Sequence, residues 1–314
     1  MTARWIAALL WLILLLPARA LADSSALILS GVAGSPEHAE KFKTWTDTTR
    51  KVLVEKLGFA EDRVIVLAER DTAAAEIQKA FATLKQQLKP LDIFFLFFIG
   101  HGSYDTDYKF NISGRDLTAT EYNQLLSGLT VGRIVVVNAT SASGGAIEAL
   151  AGKNRVIVTA TRSGQEGNET IFYEHFLDAL QNGASDEDKD QKVSVWEAFK
   201  FASAGVERFY KEEGRLATEH PQISDAGGPK TGSAVQSVPQ LARSTSFVVD
   251  RPIVVANPRL QALLNERREI EQKIEALRQL RGAIPEADYE RQMEDLLVQL
   301  ALKNQQVRAQ EGQK

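Results

Sequence analysis

Short runs of β-branched and aromatic residues alternate with longer amphipathic stretches from residue 26 to about residue 224. The runs have the length of strands and the stretches the length of helices, so the pattern predicts a mainly parallel sheet with helices on both faces. The strands expected from the runs are Ala26–Val32, Arg63–Ala68, Asp92–Ile99, Arg133–Asn138 and Arg155–Ala160. The third run is apolar without interruption over 93–99, which is typical of a central strand covered on both faces.

Beyond this region the composition changes twice. Residues 226–258 are rich in glycine, serine and proline and predict a linker, in which Phe247–Val249 and Ile253–Val255 can add an edge strand. Residues 259–314 return to a helical pattern and predict an antiparallel helical hairpin or short coiled coil. The apolar positions of its two helices are Leu263, Ile270, Ile274, Leu277 and Leu280, then Tyr289, Met293, Leu296, Leu300 and Val307.

The N-terminus has the layout of a signal peptide. Arg4 is followed by the apolar run Trp5–Leu16 and, at 20–22, by the small-residue triplet Ala-Leu-Ala. No other apolar run approaches the ~20 residues that a membrane-spanning helix needs. Removal of 1–22 is therefore expected to leave an exported chain without a membrane anchor, periplasmic in a Gram-negative source and secreted otherwise.

Composition excludes several kinds of chemistry. The chain has no cysteine, so it has no disulfide, no thiolate metal site and no cysteine nucleophile. Its formal net charge of −4 does not favour nucleic acid as a partner. The length of 314 residues suffices for one large domain with an appendage.

Two predicted strands run into unusual polar segments. The third is followed by Gly-His-Gly at 100–102, and the fourth by a turn rich in serine and glycine that contains Ser141. In open α/β sheets, ligands bind outside the carboxyl ends of the strands. A base at His101 can reach a nucleophile on the neighbouring loop from such a position.

These two segments carry a resemblance to a known family. Residues 98–103 and 135–145 resemble, in order, separation and strand context, the two motifs of caspase/legumain-type peptidases: a hydrophobic strand ending in His-Gly and a later strand ending in the cysteine-bearing turn. The resemblance covers roughly residues 25–225 and implies a three-layer, caspase-like α/β sandwich over 23–225.

The resemblance also implies roles for individual residues. His101 stands at the general base of the family, Ser141 at its cysteine, and Ala139 where the family often has Asp. It continues through the segment after the fifth strand, which borders the substrate cleft in such folds. The residues expected to contact substrate are Gly102, Asn138, Thr161, Arg162 and Ser163.

Serine in place of cysteine makes the activity of the site the open question. A serine hydroxyl needs an aligned base, an orienting partner and an oxyanion hole, whereas a thiol is partly ionised near neutral pH. Asp105 and Asp107 are the carboxylates nearest to His101 in sequence. The expectation is a catalytically inactive protein that serves in binding or in envelope structure, with a Ser141–His101 hydrolase as the alternative.

Residues 186–197 match much of a calcium-binding EF-hand loop. Oxygen donors fall at the expected spacing, although Gln191 replaces the glycine of the sharp turn. The ligands predicted for Ca²⁺ are Asp186, Asp188, Asp190, the backbone carbonyl of Lys192, Ser194 and Glu197. The alternative to a calcium-binding loop is an acidic, solvated loop in which Asp190 or Ser194 caps the following helix.

The other histidines give weaker signals. His38 and His175 lie in amphipathic stretches and are interpreted as surface or packing residues, and His220 precedes a proline in a loop. None has metal-ligand spacing, so no zinc site is predicted. The expected partner is a protein or peptide, bound through the cleft or the C-terminal helices, with self-association of the helices as a further expectation.

Overall fold

The structure, a computed structural model, describes residues 23–190, 192–225, 239–248, 258–279 and 285–311. The predicted signal peptide and most of the predicted linker lie outside these ranges. The strands are β1 (Ser24–Ser30), β2 (Val64–Ala68), β3 (Ile93–Ile99), β4 (Gly102–Tyr104), β5 (Tyr108–Phe110), β6 (Leu117–Thr118), β7 (Arg133–Asn138), β8 (Arg155–Thr159) and β9 (Gln222–Asp225).

The α-helices complete the alternation that the sequence predicts. They are α1 (Pro36–Lys51), α2 (Ala74–Gln87), α3 (Ala119–Ser127), α4 (Ile147–Leu150), α5 (Phe172–Gln181), α6 (Val195–Glu212), α7 (Gln240–Arg243), α8 (Pro258–Gln279) and α9 (Glu286–Glu311). A π-helical turn, Val52–Lys56, extends α1. Gly58 follows it with φ 83°, a conformation that glycine adopts without strain.

One six-stranded sheet organises the molecule. Its strand order is β2-β1-β3-β7-β8-β9, with β9 antiparallel to β8 and every other pair parallel. β3 lies in the interior of the sheet, and all of its residues after Ile93 are buried. The predicted mainly parallel sheet is therefore confirmed.

Helices cover both faces of this sheet, which makes three layers. On one face, β3 residues Phe95 and Phe97 belong to a core that includes residues of α1, α5 and α6. On the other face, Phe94 and Phe98 belong to a second core with residues of α2, α3 and α4. Successive side chains of a strand point to opposite faces, so one uninterrupted apolar run supplies both cores.

Several short elements were not predicted. β9 adds an antiparallel edge beside β8, and β4, β5 and β6 form a small separate sheet in the order β4-β5-β6. Within the described part of the predicted linker, Phe247 is fully buried and its ring centroid lies 5.0 Å from that of Phe95. Ser246 makes an isolated antiparallel bridge with Ser194. Residues 239–248 are thus part of the domain rather than linker.

The C-terminal helices pair as expected. Buried Val307 of α9 packs with Leu260 and Leu264 of α8. Lys303, which interrupts the apolar pattern, reaches across to Glu266 with Nζ 2.5 Å from Oε2. Among the helices that the structure describes, none combines the length and apolarity needed to cross a membrane.

Candidate functional site

The carboxyl ends of β3 and β7 lie side by side. The strands pair in parallel, with Phe94 opposite Ile134 and Phe98 opposite Asn138. β1 flanks β3 and β8 flanks β7, so the loops after these four strands meet at one edge of the sheet. His101 and Ser141 share this edge, as predicted. We call the loops that follow β1, β3, β7 and β8 the edge site.

The side chain of His101 is held by the loop after β1. Its Nε2 lies 3.1 Å from the carbonyl oxygen of Ala33. Its ring packs edge-on against His38 and Phe42, with centroid separations of 4.7 and 5.1 Å. Because a carbonyl oxygen only accepts hydrogen bonds, Nε2 carries the hydrogen. In the neutral imidazole Nδ1 then keeps its lone pair, which is the form that a general base needs.

The hydroxyl of Ser141 is bonded to the backbone of Gly102. Oγ donates to the carbonyl oxygen of Gly102 at 2.9 Å and accepts from its N–H at 3.2 Å. Ser141 is only 7% exposed. Within the described part of the chain, no hydrogen bond joins Ser141 to His101. The serine hydroxyl is therefore not aligned on the base.

The carboxylates nearest in sequence do not orient the imidazole. Asp105 pairs with Lys109, with Oδ2 2.9 Å from Nζ, and Asp107 accepts from the N–H of Thr120 at 3.3 Å. The orienting partner of His101 is a backbone carbonyl instead. A neutral carbonyl stabilises an imidazolium less than a carboxylate does, so this pair lacks the third member that a serine triad uses.

The turn after β7 is strained and closely packed. Ala142 has φ 55° and ψ 9°, a left-handed conformation that costs a non-glycine residue about 1 kcal/mol. Its N–H donates to the carbonyl oxygen of Glu166 at 2.8 Å. A Cβ on Gly144 would lie 2.2 Å from backbone atoms of Arg162 and Ser163. The turn and the loop after β8 are therefore locked together.

Tyr104 on β4 lies beside these loops and is 39% exposed. A Cβ on Gly145 or Gly164 would come within 2.4 or 2.2 Å of its side-chain atoms, so both glycines are needed for the approach of the ring. Gly102 is similarly constrained, since a Cβ there would lie 2.6 Å from the carbonyl oxygen of Ser141. The aromatic ring of Tyr104 thus borders the edge site. Tyr104 was not predicted there from the sequence.

The residues predicted to contact substrate differ in how deeply they are buried. Asn138 and Thr161 are fully buried; Oδ1 of Asn138 accepts two hydroxyl hydrogen bonds at 3.2 and 2.8 Å, and Oγ1 of Thr161 accepts a backbone N–H at 2.9 Å. Both side chains are bonded within the protein and position loops, and their contact with a substrate stays a prediction. Arg162 is exposed, while Gly102 and Ser163 are partly exposed.

Two histidines interpreted as surface, packing or loop residues also lie at this edge. His38 Nε2 is 3.3 Å from Oε2 of Glu169. His220 Nδ1 is 2.7 Å from Oε1 of Glu166, which also binds Nε of Arg162 at 3.0 Å. Three of the four histidines of the chain thus lie within or against the edge site, and two of them contact a carboxylate. The one available signal was that α1, which carries His38, directly follows β1.

Glu169 is held in its ionised form. Its Oε1 lies 2.7 Å from Nζ of Lys41. Burial raises the pKa of Glu169, the hydrogen bond and charge of Lys41 lower it, and the net pKa lies below the usual carboxyl value. An anion therefore stands beside His38 over the ordinary pH range.

Glu219 fastens the segment that leads to His220. It is 1% exposed and accepts the N–H groups of Ile171 and Phe172, at 2.9 and 3.2 Å, at the start of α5. Burial raises the pKa of Glu219 to about 7, although these N–H groups and the hydroxyl of Tyr210 lower it. The carboxyl group therefore titrates near neutral pH.

The predicted calcium loop gathers part of its ligand set. Asp186, Asp188 and Asp190 each bring a carboxylate oxygen within 4.8 Å of the others. Ser194 and Glu197 form a capping box at the start of α6, with Ser194 Oγ 2.7 Å from Oε2 of Glu197. Oε1 of Glu197 also accepts the N–H of Glu187 at 2.9 Å. Lys192 is partly exposed, and its N–H donates to Oδ1 of Asp190 at 2.9 Å.

Fold and site together define a three-layer α/β protein with three histidines gathered at the carboxyl edge of its sheet. No protein-family model and no curated protein matches the sequence. Among solved structures, the chain is similar to the crystal structure of protein GSU0716 from Geobacter sulfurreducens, with 16% identity and a TM-score of 0.50. The match covers 73% of this chain and all of the other. At that identity the likeness supports the fold alone.

Proposed function

We propose that this chain is a catalytically silent protein of the caspase/legumain-type peptidase fold, and that its edge site binds a peptide segment of a partner. The observation that carries the proposal is the pair of hydrogen bonds between Ser141 Oγ and the backbone of Gly102. The support for the family is the motif pair at 98–103 and 135–145, which lies on two adjacent parallel strands.

The chemistry of Ser141 and His101 favours a catalytically inactive site. To attack a carbonyl, Ser141 would have to break both bonds to Gly102 and then pass its proton to His101. A buried hydrogen bond lost without replacement costs about 1–3 kcal/mol per group. Cysteine in the same place would need less help, because a thiol ionises near neutral pH. His101 is therefore in a tautomer that can accept a proton at Nδ1, whereas the Ser141 hydroxyl serves as a structural link to Gly102.

The surface of the edge site suits a peptide. Arg162 is exposed and contributes one guanidinium nitrogen, Nε, to Glu166, at 3.0 Å. The guanidinium has further N–H donors for the carboxylate or carbonyl groups of a ligand. Tyr104 adds an exposed ring, a side chain that is enriched where proteins bind peptides and proteins.

The binding test uses two matched arginines. A random peptide library is passed over the immobilised chain and the retained peptides are identified by mass spectrometry. Arg162→Gln should reduce the affinity for retained peptides about tenfold or more. Arg115→Gln is the control, since Arg115 is about as exposed and also pairs with a glutamate, Glu121, outside the edge site. A library from which nothing is retained, or equal binding by both variants, would refute peptide binding here.

A Ser141–His101 hydrolase is the alternative, and two observations favour it. His101 has its Nδ1 lone pair available, and Ala142 stores backbone strain directly after Ser141, as residues at reactive turns often do. A fluorophosphonate probe labels activated serines. Labelling at Ser141 that disappears in His101→Ala would establish the alternative, whereas the silent protein stays unlabelled at this position.

We also propose that the mature chain is exported from the cytoplasm. Its support is the signal-peptide layout of 1–22. Fractionation of the source cell should find the chain, shortened at its N-terminus after residue 22, in the exported fraction. Recovery of uncut chain in the cytoplasm would contradict it.

A further inference from the structure

An apolar patch lies on a face of α9 that α8 does not cover. Leu297, Val298 and Leu302 are 47%, 53% and 56% exposed, and Ala301 completes the patch. The face of α9 that carries Val307 is occupied by α8. Positions three and four apart on a helix are neighbours, so the pairs 297/301, 298/302 and 298/301 join these four side chains into a continuous surface.

Charges of opposite sign flank this patch at equal distances. Glu290 precedes its centre and Arg308 follows it, each by about nine residues or ~14 Å of helix. Their separation of 18 residues is five full turns, so both lie on the same side of α9. Neither has an ion-pair partner within the described part of the chain.

This arrangement is self-complementary under a two-fold axis. In an antiparallel pair of α9 helices centred on the patch, Leu297, Val298 and Leu302 of both copies meet. Glu290 of each copy then lies beside Arg308 of the other, which forms two ion pairs of opposite sense. A parallel pair would place like charges together, which is unfavourable. The isologous arrangement is the one that closes without leaving a free patch.

We propose that the chain forms a homodimer through antiparallel pairing of α9, with the patch at 297–302 at its centre. One helix face buries less area than the roughly 1,200–2,000 Å² of a standard stable interface. The dimer is therefore reversible, with a dissociation constant on the order of 10 μM. It does not depend on the peptide-binding proposal, because no residue of the edge site takes part.

Sedimentation velocity of the full chain from about 1 to 200 μM, a range chosen to bracket this constant, tests the dimer. Glu290→Arg and Arg308→Glu should each raise the dissociation constant about tenfold, and the double variant should return to within about threefold of the wild type. Glu269→Arg makes the same charge change at an exposed position of α8 and should have no effect. Circular dichroism verifies that the helices are retained.

Val298→Asp provides a second test that does not depend on charge pairing. It places a carboxylate at the centre of the patch and should leave the chain monomeric over the whole range. A wild type that is monomeric throughout would overturn the proposal. So would a dimer that Val298→Asp leaves intact, or a double charge variant as weak as the single variants.

Discussion

The side chain of Ser141 links the turn after β7 to the backbone of Gly102 by hydrogen bonds that a cysteine could make only weakly. Its hydroxyl both donates to and accepts from Gly102, at 2.9 and 3.2 Å. A thiol is a weak donor and a weak acceptor, so it cannot reproduce this link. These two bonds account for a serine whose hydroxyl is not aligned on His101.

Removal of the hydroxyl should therefore lower stability. Ser141→Ala leaves the N–H and the carbonyl oxygen of Gly102 without their partner, and we expect a loss of about 1–3 kcal/mol in the free energy of unfolding. Ser103→Ala is the control, because Ser103 is exposed and its bond to Asn111 is long at 3.4 Å; it should change stability by less than about 0.5 kcal/mol. Urea unfolding measures both, and equal effects would contradict the bridging role of Ser141.

Glu219 should make stability depend on pH. Its pKa is raised to about 7 in the folded state, against about 4.3 in an unfolded chain. The stability that protonated Glu219 contributes is fully present below pH ~4.3 and is lost as the pH rises through ~7, to a total of about 4 kcal/mol. Glu219→Gln should remove this component from the pH dependence of unfolding. Glu121→Gln serves as the opposite control, since the Glu121 pKa is lowered by Arg115; identical pH profiles of wild type and Glu219→Gln would refute the assignment.

The edge site was predictable only where its residues directly follow strands. His101 and Ser141 could be placed because parallel strands end at one edge and each residue comes just after a strong apolar run. Glu166, Glu169 and His220 could not, because their convergence depends on the path of a loop and of the segment after α6. Asn138 was placed at the correct strand end, but the face to which it points was not considered.

At the scale of elements, the long strands were predicted and the short ones were not. Short apolar runs, rich in β-branched and aromatic residues, located β1, β2, β3, β7 and β8 to within two residues at their ends. β9, with the sequence Gln-Ile-Ser-Asp, has one apolar residue and no alternation to detect. The segment 239–248 was assigned to a linker by composition, yet Phe247 anchors it in the core.

The acidic loop should bind Ca²⁺ weakly. Three carboxylates, from Asp186, Asp188 and Asp190, lie close together, and a divalent cation relieves their repulsion. Glu197 is engaged in a capping box, so the affinity should be on the order of millimolar. Asp188→Asn should weaken binding, whereas Glu187→Gln, at the neighbouring acid paired with Lys200, should not. Calorimetry without heat at millimolar Ca²⁺, and an unchanged melting temperature, would rule the site out.

At the scale of the whole molecule, the helical hairpin and the sheet domain have separate cores. The two clusters that cover the sheet contain no residue of α8 or α9. The hairpin has its own cluster of Leu260, Leu264 and Val307. The domain should therefore fold without the hairpin.

Deletion of 258–314 tests this independence. The truncated chain should keep a cooperative thermal transition within about 5 °C of the domain transition in the full chain. It should also lose the concentration-dependent dimer. A truncated chain that lacks cooperative unfolding would show that the hairpin is part of the domain core.

We propose that His101 is a base in working form and that only a reactive nucleophile is absent, and cleavage of a peptide library by Ser141→Cys tests this. A thiol at this position is free of the strong link to Gly102 and lies on the loop beside His101. We expect no cleavage by the wild type, cleavage or self-cleavage by Ser141→Cys, and loss of that activity when His101→Ala is added. Cleavage by the wild type that is lost in both Ser141→Ala and His101→Ala would contradict the account and make this chain a serine hydrolase.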